Sequence, residues 1–583
     1  MPQAGYDRPP MALEAPMAST RGRTALGRTT IGSWRTQTVA ALLVYAVLSL
    51  AYFGIPGLAH LGRDCVCGKG GNDPATYMWF LAWWPHALLH GVNPFFSDAL
   101  FAPQRLDLGG VTTAPGAALV ATPVTLLFGP LVSYNLLILA SPILAAFFAF
   151  LLCRYITQSF LAALIGGYVF GFSAYMFGHM LGHLNLVLTF PIPAGVLLVL
   201  RLIDGRIRTW PFIGLMALDL AALISFSTEL ALTFALLGAM AWALAMAFVP
   251  SSRTRIAAAI PPTLIAGGLA VAVTSPLIYY SLKGNIPNAF VGAGNTWGGD
   301  LLGFVVPTRV TGIGGSSFIT VSSTFNESDL LENGIYLGIP LLVIVARYAV
   351  TRWRLPTARM LLTVLAVVVV LLLGSHLHVD GHSTIPLPWD VISGLPLVKQ
   401  ALPVRLGVYM YLIVALILAT WIAQPRGRAW GIAKWELLAV TVALLLPSLG
   451  SGLWHSKPPN PRFFTTTQYR RYLHRDEVVL ALPWPGFTGY GMLWQANTGM
   501  WFRLAGANLG KLVPASYQRE PVLAQFVHPG AVTDAPNLQS FLIRQRVGAV
   551  IVDPNDPQEW PSVLAKLGLT PLHVGGVLLY QVT

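Results

Sequence analysis

GGNDPATYMWFLAWWPHALLHGVNPFF, residues Gly70–Phe96, follows the first strongly apolar segment of the chain and reads as a membrane span that fails. Trp79, Trp83, Trp84, Pro85, His86 and His90 interrupt an otherwise apolar run, and Asp73-Pro74 stands at its head. Whether this region crosses a bilayer decides the side on which every later loop lies.

The composition places that question in a membrane. Of 583 residues, 55% are hydrophobic and 10% charged, against about 25% charged in a soluble globular chain. Apolar runs such as Met360–Gly374 recur throughout. Candidate spans of the ~20 residues a bilayer requires lie near 37–58, 134–153, 159–177, 186–203, 211–227, 230–249, 256–276, 333–350, 360–377, 404–423 and 435–453. The expectation is thus an α-helical polytopic membrane protein of about eleven spans.

Topology follows from the basic residues. If Ala114–Pro130, with Pro115 and Pro123, does not cross, then Arg154, Arg201–Arg208, Ser251–Arg255, Arg347–Arg359 and Pro425–Lys434 all fall inside. If it crosses, all five fall outside. The excess of Lys and Arg in cytoplasmic loops selects the first arrangement. Residues 59–132 then form one long outer loop. Trp79, Trp83 and Trp84 suit a helix lying at headgroup level within it. The formal net charge of +13 is spread over these small clusters, so no nucleic-acid partner is expected.

Residues 1–35 read as a disordered basic cytoplasmic tail and 36–455 as the transmembrane part, with a second long outer loop over 277–332. That loop is glycine-rich and then acidic at Glu327, Asp329 and Glu332, as lids and binding loops often are. Residues 456–583 alternate strands (Glu477–Pro485, Val547–Asp556, Gly575–Val582) with helices (Asn537–Arg546, Trp560–Gly568), a small extracytoplasmic α/β domain. Cys65 and Cys67 are separated by one residue, too close for an unstrained bridge, so an internal disulfide is not the expectation.

Several residues carry candidate chemistry. Asp73 before the aromatic helix is either an N-terminal cap, with Pro74 at the first helical position, or a general base for a hydroxyl. Glu229 follows Ser227 and Thr228 at an outer helix start, as a dipole partner or a functional acid. Arg405 opens a late span, where its forked donors suit phosphate. Arg309, His376, His378 and His382 are weaker candidates for the same cavity, and Asp64 is a second candidate base.

Asp73-Pro74-x-x-Tyr77, followed by a helix ending HALLHGVNPF (His86–Phe95), resembles the first outer loop of GT-C superfamily membrane glycosyltransferases. The likeness is to the start of oligosaccharyltransferase catalytic subunits in particular. The layout is similar too: interfacial helices in a long first loop, many spans and a C-terminal soluble domain. The resemblance implies a GT-C-like arrangement and a transferase using a polyprenyl-phosphate-linked sugar donor. Its acceptor would be a cell-envelope glycolipid, polysaccharide or protein, outside the plasma membrane. It implies an inverting displacement with Asp73 as base, and Arg405, Glu229, His183, Asn185, His179, Arg309 and Tyr77 as substrate contacts.

The chain departs from the family where a metal-holding acidic pair would stand. Phe177–Asn185 reads FGHMLGHLN, with His179, His183 and Asn185 but no carboxylate. No metal or other cofactor is assigned, although a histidine pair four apart can ligate a divalent ion. A transporter or flippase, and a non-catalytic member of the same fold, remain the competing readings.

Overall fold

Eight helices among the described residues are long and apolar enough to cross a membrane. They are Trp34–Gly54, Pro130–Thr157, Phe160–His179, Leu184–Ile203, Thr209–Phe226, Thr228–Phe248, Pro250–Val273 and Pro403–Ala423. The computed structural model describes residues 33–54, 60–69, 73–284, 297–394, 398, 401–424, 428–485, 489–510, 512–527, 534–556 and 559–582. The basic tail expected over 1–35 lies almost wholly outside them, as do residues 285–296 of the second long loop.

The other three expected spans fall on Ile339–Arg352, Pro356–Leu372 and Arg428–Leu444, helices of 14, 17 and 17 residues. At 1.5 Å per residue these reach roughly 21 to 26 Å, short of the ~30 Å hydrocarbon core. Gly338, at φ +77°, and Pro340 fix the start of the first; Pro356 starts the second.

The basic loops gather at one end of the bundle. Arg154 donates to Gln37 Oε1 (3.1 Å), Tyr155 to Asp204 Oδ2 (2.7 Å), and Arg255 stands 3.9 Å from Asp204. Arg359 lies over the Phe248 ring. His183, Glu229 and Arg405 stand at the opposite ends of Leu184–Ile203, Thr228–Phe248 and Pro403–Ala423, and Asp73 meets them there through His183.

The opening stretch forms a helix, Asp73–Leu89, which packs on Pro115–Phe128, Pro130–Thr157 and Gly491–Asn497. Its tryptophans do not lie among headgroups as expected. Trp79, Trp83 and Trp84 are buried in protein; Trp79 Nε1 donates to Gln495 Oε1 (2.6 Å) and Trp83 Nε1 to Pro94 O (2.9 Å). A C-terminal helix reaches Trp79 through Gln495, while Trp83 stacks on Trp79 and Trp84 packs edge-on against Phe95. Pro115–Phe128, at 14 residues, is too short to cross and leaves Leu119, Val120, Leu126, Leu127 and Phe128 exposed.

Cys65 and Cys67 are joined by a disulfide, contrary to the expectation from their spacing. Their turn is held from outside: Cys65 pairs with Ser456 through two backbone hydrogen bonds, and Val66 N donates to Asn135 Oδ1 (2.8 Å).

Two short hairpins, β1 (Phe96–Ser97) with β2 (Leu106–Asp107) and β3 (His376–Val379) with β4 (His382–Pro386), precede the main sheet. That sheet comprises β5 (Val478–Leu482), β6 (Arg503–Leu504), β7 (Ala549–Val552), β8 (Leu572–Val574) and β9 (Val577–Gln581), in the order β6-β5-β7-β9-β8. β5 runs parallel to β6 and β7, while β9 is antiparallel to β7 and β8. Strands β5 and β7 are buried at every position, and β5, flanked by two parallel neighbours, is the continuous apolar run such a position requires. The β6 edge is closed by the first outer loop: Leu504 N donates to Ala99 O (2.8 Å) and Ala102 N to Leu504 O (2.9 Å).

Candidate functional site

Four parts of the chain meet above the helix Asp73–Leu89. Asp73, in its first turn, accepts from His183 Nε2 (3.2 Å) and from Asn508 Nδ2 (3.4 Å). Its side chain stays half exposed. Burial pushes its carboxyl up, but the hydrogen bond and charge of His183, then Asn508 and Arg405, outweigh this and hold the pKa below the ordinary value. Beside it Tyr77 donates to Asn185 Oδ1, so these two substrate candidates face each other.

The short helix Ala174–His179 starts at Ser173, whose hydroxyl accepts from Met176 N. The next turn brings His179 Nδ1 within 3.0 Å of His183 Nδ1. Segment 330–332 rides directly over this helix. A Cβ on Gly178 would lie 2.8 Å from Leu330 O, so only glycine admits that approach. The segment delivers Glu332, 1% exposed, with Oε1 at 3.6 Å from His183 Nδ1. Asn326, within a glycosylation-type Asn-x-Ser triplet, spends its amide on Glu332 O and Asn333 Oδ1, which anchors the same segment.

Glu332 is gripped on its other side by Arg405, whose Nε reaches Oε1 and Oε2 at 3.0 and 3.1 Å and whose Nη2 also bonds Oε1. Arg405 Nη1 donates to Glu229 Oε2 (2.6 Å), and Glu229 Oε1 accepts from Leu402 N (3.0 Å). Burial raises the Glu332 carboxyl, but the Arg405 guanidinium, then His179 and His183, pull its pKa down to about 2. Capping at the neighbouring helix start is done by Ser227, whose Oγ accepts from Leu230 N, leaving Glu229 for Arg405.

The fold therefore joins Asp73, His183, His179, Glu229 and Arg405 in one network, with Tyr77 and Asn185 adjoining. Sequence reasoning noted Glu332 as a loop acid but did not place it here, and it missed Asn508 altogether. Arg309 is exposed, and among the described contacts nothing links it, His376, His378, His382 or Asp64 to the cluster. Arg405 is not a free cation: two carboxylates already hold it.

One atom each from His179, His183 and Glu332 lie within 4.8 Å of one another, a donor set able to hold a metal ion. Two imidazoles and a carboxylate suit zinc or a similar divalent ion. The carboxylate missing from the histidine loop is thus supplied by a loop far away in sequence.

A protein-family model described as "Domain of unknown function (DUF6311)" matches residues 41–446. The chain belongs to that family. No curated protein matches the sequence. Among solved structures, an oligosaccharyltransferase from Archaeoglobus fulgidus aligns over 90% of this chain and 70% of its own, at 11% identity and TM-score 0.53. The arabinofuranosyltransferase AftD from Mycobacteria aligns over 96% of this chain and 42% of its own, at 14% identity and TM-score 0.52. ArnT from Cupriavidus metallidurans aligns over 94% and 97%, at 12% identity and TM-score 0.50. All three are GT-C superfamily glycosyltransferases, and at these identities the likeness establishes the fold. The protein is an integral membrane protein of GT-C-like fold.

Proposed function

We propose that this protein is a membrane glycosyltransferase that moves a sugar from a polyprenyl-phosphate-linked donor to a cell-envelope acceptor. The observation that carries the reading is the Asp73 carboxylate, half exposed and held by His183 and Asn508 beside the Arg405 network, at the end of the bundle away from the basic loops. By the positive-inside tendency, that end and the C-terminal sheet face outside the cytoplasm. The archaeal oligosaccharyltransferase AglB was solved with a dolichol-phosphate and an inhibitory peptide, which supports a lipid-phosphate donor here.

In the proposed reaction the acceptor hydroxyl gives its proton to Asp73 as its oxygen attacks the anomeric carbon. The new C–O bond forms as the bond to the lipid phosphate breaks, and the phosphate leaves with the bonding pair. Attack opposite the leaving group inverts the anomeric configuration. Asn508 and His183 hold the Asp73 carboxylate in place. Three carboxylates (Asp73, Glu229, Glu332) face one guanidinium, so an incoming phosphate meets net negative charge until Arg405 exchanges Glu332 for it. A divalent ion held by His179, His183 and Glu332 would supply positive charge to the leaving phosphate.

The test compares wild type, deletion and Asp73→Asn at matched membrane levels, reading glycans and lipid-linked sugars. Asp73→Asn should reproduce the deletion, with one product lost, one prenyl-phosphate sugar accumulated and turnover down by about 10²–10⁴. Wild-type behaviour of that variant would reduce Asp73 to a helix cap and sink the transferase reading.

A further inference from the structure

We propose that the C-terminal sheet carries a second binding site, for a sugar bearing an acid group, in the cavity bounded by Arg462, Thr466, Thr467, Gln468, Arg471 and Gly575. It shares no residue with the Asp73 cluster. The cavity measures about 490 Å³, within the ~300–1,000 Å³ of small-molecule sites. Its lining is polar throughout: two guanidiniums, two hydroxyls, one amide and a glycine.

The local fold fixes these groups. Phe463 and Phe464 are buried, Phe464 stacked on Trp494 at 5.0 Å, and Phe463 N donates to Gly575 O (2.9 Å). Their neighbours Arg462 and Thr465–Thr467 therefore turn outward, where they are exposed. Gly575, at φ +55°, needs the left-handed region, and a Cβ there would stand 2.3 Å from Gln468 Oε1. Any side chain at 575 would push into the wall of the cavity.

The neighbouring arginines are occupied while the two in the cavity are not. Arg470 and Arg475 lie over the Trp501 ring at 4.9 and 5.7 Å. Arg462 and Arg471 make no side-chain ion pair or hydrogen bond among the described residues. Two unpaired guanidiniums in one polar cavity without a carboxylate select an anionic group. Thr466 spends its hydroxyl on Arg462 O and Gln468 N, while the Thr467 hydroxyl and the Gln468 amide beside them offer both donors and acceptors, as the hydroxyls of a sugar ring require. A uronic acid and a sugar phosphate share this chemistry. The same Gly491–Asn497 helix that carries Trp494 packs on the helix of Asp73, so a bound acidic glycan would be anchored on the body that holds Asp73.

The experiment titrates the purified full chain in detergent with D-glucuronate, D-glucose 6-phosphate, D-glucose, inorganic phosphate and, separately, phosphatidylglycerol vesicles. Glucuronate, glucose 6-phosphate or both should bind wild type, and bind Arg462→Gln/Arg471→Gln at least tenfold more weakly, with D-glucose silent. Both arginines are exposed and unpaired, so the melting temperature should hold. Thr467→Val gives a second, charge-neutral probe, expected to weaken the sugars and leave any inorganic phosphate binding unchanged. Equal sugar binding by wild type and double variant overturns the proposal. So does inorganic phosphate binding as tightly as the phosphosugar, or vesicle capture that needs the arginines while sugars fail. None of these readouts depends on transferase activity.

Discussion

Arg405 is the residue on which the cluster turns. A buried guanidinium shared by two carboxylates gains little over an apolar core, but removing one partner strands the others, typically at about 3–5 kcal/mol. Arg405→Ala should therefore lower the melting temperature of the detergent-solubilised protein more than any other single change in the network. Arg405→Lys keeps the charge yet lacks the planar fork that spans Glu229 and Glu332, and should fall between it and wild type. If Arg405→Lys melts like wild type, the bidentate geometry carries no stability. Asp73, Glu229 and Arg405 could be found from sequence because an ionisable group at the end of an apolar run is conspicuous. Glu332 was visible only as one acid among three in a loop. Nothing in GANLG (Gly506–Gly510) distinguished Asn508, whose role exists only once the C-terminal sheet is docked.

At the scale of elements, the site depends on two chain segments passing without a side chain between them. Gly178→Val places a branched Cβ against Leu330 O, 2.8 Å away, and Leu331 O, 3.1 Å away. It should cost about 1–3 kcal/mol by overpacking and reproduce the activity loss of Glu332→Gln without touching a charged group. Unchanged activity would detach segment 330–332 from the site. A second element test lies in the sheet. The helix Ala535–Arg544 is tied to Glu520 by Arg544 and by Gln545 Nε2 at 2.8 Å. The Arg544 hydrogen bond, more than burial opposes it, holds the Glu520 carboxyl below its ordinary value. A depressed carboxyl stabilises the fold above its unfolded pKa and loses that contribution as pH falls through the folded one. The melting difference between wild type and Glu520→Gln should thus be full at neutral pH and shrink below the usual glutamate range. A pH-independent difference would assign the effect to packing. The long apolar helices and the buried strands β5, β7 and β9 were legible because their patterning is continuous. β6 and β8, two and three residues long, were not, and neither was the shortening of three spans, which backbone turns rather than composition decide.

For the molecule as a whole, the question is whether the membrane part stands alone, since the family match ends at residue 446. Three contacts argue that it does not. Gln495 takes the Trp79 Nε1 hydrogen and gives its own amide to Ala99 O and Phe502 O. Ala99 and Ala102 pair with Leu504 at the sheet edge. Thr76 and Asp73 both bond Asn508. Removing residues 456–583 would expose Trp79, leave a row of unpaired backbone groups on Ala99–Ala102 and free one side of Asp73. The truncated protein should melt well below wild type, with its tryptophan emission shifted to the red. The Gln495→Leu variant isolates this coupling, because it strands the buried Trp79 N–H and the Phe502 carbonyl, while Ala99 O keeps the Leu504 N–H, at about 1–3 kcal/mol per orphaned group. It should shift melting in the same direction by less, and weaken turnover although Gln495 bonds none of the charged residues of the cluster. A truncated chain with wild-type melting and emission would make the sheet an appendage, and the aromatic helix would then need another explanation for its buried face.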